Sequence, residues 1–131
     1  VTSGWNCYID QFNYKISSLS SSSKRYKILG ASLPEEFIEN LYNIEPIMAR
    51  YKEGYLAEGD ERVGAEFPMF IAEDVNKYFP LAVDHNADGL PENWNERIMI
   101  PAMFAMIKQQ KAEIDMLNKK LEEINTSTGK E

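Results

Sequence analysis

Between Ile100 and Ile124 the apolar residues return at alternating intervals of three and four. Ile100, Ile107, Ile114 and Leu121 fall at heptad position a, and Met103, Gln110, Leu117 and Ile124 fall at d. Seven of these eight seam positions are apolar over about four heptads, a pattern that predicts one long helix from Ile100 and a coiled coil. The competing reading is an amphipathic helix packed on its own domain. Isoleucine at a favours three or four strands and leucine at d favours two, and we expect a homotrimer. Gln110 is the polar seam residue. It either pairs around a trimer axis to fix register or is simply tolerated there. The tail "NTSTGKE", 125–131, is expected to fray.

Upstream, the pattern is that of a small α+β unit. Residues 1–16 carry aromatic and β-branched residues in loose alternation and predict short strand pieces. "ASLPEEFIENLYNI" predicts a helix, with Ser32 and Glu35 spaced as a capping box and Phe37, Leu41 and Ile44 on one face. Pro46 ends it. "PIMARYKEGYLAEG" predicts a hairpin around Lys52-Glu53-Gly54. "FPMFIAEDVNKYFP" predicts a strand over Met69–Ala72 and then a short helix over Glu73–Tyr78, stopped by Pro80. "LAVDHNADGLPENW" predicts two strands around a tight turn at Asp88-Gly89.

Composition narrows the function classes. With 131 residues the chain is long enough for one domain with a modest core. A net charge of −7 repels phosphate backbones and anionic lipid, so neither nucleic acid nor membrane is expected as a partner. No apolar run approaches the ~18 residues of a membrane span. Cys7 is the single cysteine and His85 the single histidine, so no disulfide and no Cys/His metal cluster is expected. The first residues show no signal peptide. The sequence opens at Val1 rather than Met, and we expect it to be part of a longer protein.

Three short motifs have structural explanations beside functional ones. "DHNADG", Asp84–Gly89, matches the first half of a calcium loop, but its twelfth position is Asn95, with Glu96 one place late. An acidic hairpin turn explains the same residues, and no metal is expected. His85 reads as a surface residue rather than a base. Glu73 and Asp74 are adjacent, point in different directions on a helix, and suit a helix N-terminus better than paired acid–base work.

The stretch "SSLSSSSKRYK", Ser17–Lys27, is by composition a linker with a basic end. Its company changes that reading. In order and spacing, "SSSKRYK", "LYNIEPIMARYKEGYL", "FIAEDVNKYFPLAV", "DGLPENW" and "IPAMFAMIKQQKAEIDMLNKKL" resemble the C-terminal intramolecular chaperone domain of phage tail spikes, fibres and neck appendages. This is the endosialidase-type, or peptidase S74, family. The likeness covers about 20–124. It implies a chaperone that trimerises and aligns a β-helical fibre, and is then released by a Ser/Lys dyad without any cofactor. Matched by position, Ser22 is the nucleophile, Lys27 the base, and the bond between Ser21 and Ser22 is cut, with Ser20, Ser21 and Ser23 leaving the register open by one. On this resemblance 1–21 end the upstream stalk, 22–99 form the α+β chaperone and 100–131 the coiled coil. Its partners are itself and the stalk of the same chain, in the host cytoplasm during assembly, with the mature stalk in the virion. A non-cleaving structural trimerisation tip is the alternative. The chain departs from the family where Gly, sometimes after His, precedes "IA": here Met69 and Pro68 precede Phe70. It departs again at Ala72-Glu73-Asp74, where many members read Ala-Gln-Glu.

The chemistry sets two conditions. A lysine accepts a serine proton only when neutral, so Lys27 must be desolvated or crowded by the cations Lys24 and Arg25. Five residues of extended chain separate side chains by ~17 Å on opposite faces. The chain must therefore bend between Ser22 and Lys27, or Lys27 must serve Ser22 of an adjacent subunit.

Overall fold

A computed structural model describes the strand segments 7–10 and 15–18 and then 22–129. The chain falls into two compact units, Val1–Ser32 and Leu33–Glu131. In the first, β1 (Cys7–Asp10) pairs antiparallel with β2 (Lys15–Ser18), in the register Cys7↔Ser18 to Asp10↔Lys15. The short strands read from the sequence are there, and the second runs two residues into the serine stretch.

The second unit is α+β with a long C-terminal helix. Helix α1 (Glu35–Leu41) begins at Pro34, whose carbonyl accepts from Phe37 N–H at 3.1 Å and Ile38 N–H at 3.4 Å. Ser32 is therefore not the cap that its spacing to Glu35 suggested. The helical region is disfavoured for a residue before proline, here Leu33, which works against a helix turn starting at Ser32. Ile38, Leu41 and Ile44 are buried, and Phe37 meets Phe79 edge-on at 5.9 Å.

Strand β3 (Ile47–Ala49) is an arm of a hairpin, but not the expected one. It pairs with β4 (Phe67–Met69), in the register Ile47↔Met69 to Ala49↔Phe67. The loop between them is a chain of turns. Carbonyls of Lys52, Ala57 and Arg62 each accept from the N–H three residues on, all at 3.1 or 3.2 Å. The third residue of each turn is Gly54, Gly59 or Gly64, at φ between +76° and +85°. A positive φ at that place is what a type II turn requires, and glycine adopts it without strain. The tight turn at Lys52-Glu53-Gly54 thus exists, but its downstream arm is a second turn rather than a strand.

Helix α2 (Ala72–Tyr78) carries Glu73 and Asp74 in its first turn, where the helix dipole favours them. The strand before it ends at Met69, three residues short of expectation. After a 3-10 turn (Pro80–Ala82), β5 (Val83–His85) and β6 (Pro91–Trp94) form the expected hairpin. Gly89 closes its turn at φ +78°, donating to the Asn86 carbonyl at 2.9 Å.

Helix α3 (Glu96–Thr128) starts one turn before Ile100 and carries Pro101 inside it. Asn95 caps it, its Oδ1 accepting from Arg97 N–H at 2.9 Å, and its own N–H donates to the Ala82 carbonyl at 2.7 Å. That bond ties the start of the helix to the 3-10 turn that precedes the hairpin. The tail expected to fray is helical through Thr128: Thr126, Ser127 and Thr128 donate hydroxyl hydrogen bonds of 2.8–3.1 Å to carbonyls one turn back. The core of the second unit joins α1 and α2, the 3-10 turn, β5 and the start of α3: Leu41 and Ile44, Val75 and Phe79, Ala82 and Val83, Met99 and Ala102.

Candidate functional site

The segment around Ser22 is bent. Ser23 is extended (φ −64°, ψ 135°) and caps a 3-10 turn over Lys24–Tyr26. Its Oγ accepts from Arg25 N–H at 3.3 Å and from Arg25 Nε–H at 3.2 Å. Its carbonyl accepts from Tyr26 N–H at 3.1 Å, and Lys27 N–H donates to the Lys24 carbonyl at 3.3 Å. The chain leaves the turn extended at Lys27 (φ −132°, ψ 144°). A 3-10 turn advances ~2 Å per residue against ~3.3 Å in a strand, so it shortens the separation an extended segment would impose.

The electrostatics around this turn have one sign. Lys24, Arg25 and Lys27 fall within four residues, and the sequence from 11 to 34 contains no Asp or Glu. The Arg25 guanidinium lies 5.6 Å from the Tyr26 ring centroid. Ser22 and Lys27 are both exposed, and so are Tyr26, Ile28 and Leu29. Desolvation of Lys27, one of the conditions for a lysine base, is not supplied by the described residues of its own unit. Ser21, and with it the Ser21–Ser22 bond, lies outside the described residues.

The seam residues lie together on α3 and are largely uncovered. Ile100, Ile107, Ile114, Leu117, Leu121 and Ile124 are 54–61% exposed, and Gln110 is exposed beside them. The domain uses a neighbouring face instead: Met99 and Ala102 are buried, Met103 and Met106 pack against the core, and Gln109 reaches α1. Met103 is the one seam residue in that contact. The helix therefore packs on its own domain, as the competing reading held, but with a different stripe from the heptad seam. From Gln110 to Gly129 every residue is exposed.

Where α3 passes α1, the side chain of Gln109 bridges two carboxylates, Nε2 donating to Glu39 Oε1 at 3.2 Å and Glu113 Oε1 at 3.3 Å. Leu33, Ile38, Ala112 and Met116 line the open groove beside it. The sequence reading passed over Gln109, because a lone glutamine carries no spacing signal.

The remaining motif residues do structural work. Asn86 Oδ1 accepts from Asp88 N–H and Leu90 N–H, both at 3.0 Å, so the third residue of "DHNADG" turns inward onto its own hairpin. His85 Nε2 lies 3.0 Å from Asn76 Oδ1 on the exposed side of that hairpin. Among the described residues no group of three or more His, Cys, Asp or Glu is placed to hold a metal ion, and no helix is long and apolar enough to cross a membrane. The chain matches no protein-family model and no curated protein.

Proposed function

We propose that this chain is a self-cleaving trimerisation chaperone: three copies associate along the α3 seam, align the segments upstream of Ser22, and are released by cutting between Ser21 and Ser22. The observation that carries the reading is the uncovered heptad stripe. A helix whose last ~20 residues are all exposed is marginal in water by itself, and partner helices at those isoleucines would bury it. The resemblance to the S74 family supplies the purpose. Strands of a fibre that pair between chains can slip register, and tethering three chains at one end aligns them and raises their effective concentration.

The cut follows from atoms already close in sequence. Neutral Lys27 Nζ takes the Ser22 Oγ proton, and Oγ attacks the Ser21 carbonyl carbon. The carbon–nitrogen bond to Ser22 breaks, and the Ser22 amine takes back the proton from Lys27. The product is an ester, and water adds to it to release a Ser21 carboxylate and a Ser22 hydroxyl. Exposed Lys27 gains its desolvation, on this reading, when copies pack together, so that assembly precedes cutting. The same exposure favours a second reading, a structural trimerisation tip that never cleaves. Denaturing electrophoresis and intact mass of the full chain separate the two. Fragments that divide between Ser21 and Ser22, lost in Ser22→Ala and Lys27→Met, are the result expected; one intact band throughout leaves the structural tip.

A further inference from the structure

Ser23 Oγ is committed to two acceptor bonds, one to the backbone and one to the side chain of Arg25. A hydroxyl oxygen has two lone pairs. The lone pairs that hold Arg25 are the ones a nucleophile would offer to a carbonyl, so Ser23 cannot cap the turn and attack at the same time. The turn it caps is three residues long and contains no buried residue. A nucleus that short is unfavourable without outside support. Its support is this cap, together with the Arg25 guanidinium against Tyr26, the residue before Lys27.

We infer that Ser23 and Arg25 are the positioning residues of the Ser22/Lys27 reaction: the Ser23 hydroxyl holds Arg25, the turn forms, and Lys27 is carried back towards Ser22. This rests on the self-cleavage reading and assigns the two neighbouring serines different roles, nucleophile for Ser22 and cap for Ser23. Any side chain that caps as well should replace Ser23. Asparagine caps as well as serine and has no hydroxyl, whereas alanine does not cap.

The test is the first-order cleavage rate of the full chain, followed by denaturing electrophoresis across pH 6–10. Ser23→Ala is expected to slow cleavage about five-fold or more, and Ser23→Asn to restore it to within about two-fold of wild type. The pH midpoint should stay at the wild-type value in both, because a cap changes how often Lys27 is in place and not its proton affinity. Arg25→Lys, which keeps the backbone donor and loses Nε, should fall between. Sedimentation should give the same assembly mass for all four proteins. A Ser23→Ala chain cut at the wild-type rate overturns the inference, and so does a Ser23→Asn chain as slow as Ser23→Ala, since that would make the Ser23 hydroxyl a reactant. Wild type that is never cut overturns the self-cleavage reading itself, an outcome distinct from either.

Discussion

Asp60 and Arg62 show how much a residue can do at a surface within one turn. Asp60 Oδ1 accepts from Arg62 N–H at 2.9 Å and Nε–H at 3.0 Å, and Oδ2 takes Nη2 at 2.7 Å. These bonds, the side-chain ones first, hold the Asp60 carboxyl down to about 2. The Arg62 guanidinium also lies 5.5 Å from the Tyr51 ring centroid, and Tyr51 stacks on Tyr55 at 5.3 Å. Because the folded value lies below the ordinary carboxylate value, the stabilisation from this pair is present above about pH 4 and is lost as pH falls through about 2. Carboxyl titration by NMR should find the Asp60 midpoint near 2 in the native chain and near the ordinary ~3.9 in Arg62→Gln. An unchanged midpoint in the variant would show that Arg62 is not the cause.

The elements of the second unit were legible where one local rule acted alone. Helix α2 has an apolar approach, two acidic residues in its first turn and a proline stop, and it lies within a residue of expectation. The β5–β6 hairpin follows from Asp-Gly turn chemistry. Misreadings arose where two rules competed. The spacing of Ser32 to Glu35 fits a capping box, but Pro34 disfavours the conformation it needs. Strand β3 was given the nearest downstream partner, whereas its true partner β4 lies beyond a chain of type II turns. The five-residue interval of Gly54, Gly59 and Gly64 was the available signal, but it matches neither the helical nor the strand period. No heavy atom lies within 4 Å of a Cβ added at Gly59, so Gly59→Ala has a purely conformational cost, about 1–2 kcal/mol of turn stability. Backbone hydrogen exchange should report that cost at Asp60 N–H, which closes the turn onto the Ala57 carbonyl. The heptad pattern marks α3 only from Ile100, because Glu96–Met99 precede the first seam position, and Asn95 carries a calcium-ligand reading in the sequence while it is the helix cap in the fold. The first turns of α3 are its anchor: Met99 is 1% exposed, against a core that includes fully buried Val75. Met99→Ala should cost about 2–5 kcal/mol in denaturant unfolding, and a loss well under 1 kcal/mol would mean that the helix is not held at this point.

On the scale of the whole molecule, the helix presents two faces with opposite needs. A face around Met99, Ala102 and Met106 is satisfied within the chain, and the heptad seam beside it is not. Of the candidate site, the apolar periodicity of α3 was legible in the sequence because it is a repeated signal. The bend between Ser22 and Lys27 was not, because five residues of spacing do not say how the chain turns; the cap on Ser23 becomes visible only in three dimensions. Substitutions along α3 separate a helix that is merely exposed from one that assembles. Ile114 is 56% exposed at position a, and Met116 is 50% exposed at position c, on the outer side of a coil. In a lone chain Asp at 114 meets water and should alter stability by ~0.5 kcal/mol or less, whereas Asp at 116, at the open groove beside α1, should cost up to about 1 kcal/mol. In a trimer, Ile114→Asp brings three carboxylates together at the axis, in place of three isoleucines, and like charges desolvated together oppose association strongly. Sedimentation equilibrium, with cutting blocked by Ser22→Ala, should therefore find the otherwise native chain and its Met116→Asp variant at three times the 15.1 kDa chain mass, and its Ile114→Asp variant at one. Cleavage should follow the mass: if desolvation of Lys27 depends on assembly, Ile114→Asp stays intact on a denaturing gel while Met116→Asp is cut. A native chain that sediments at 15.1 kDa at high concentration would leave the seam without its partner and remove the basis for a chaperone of this kind.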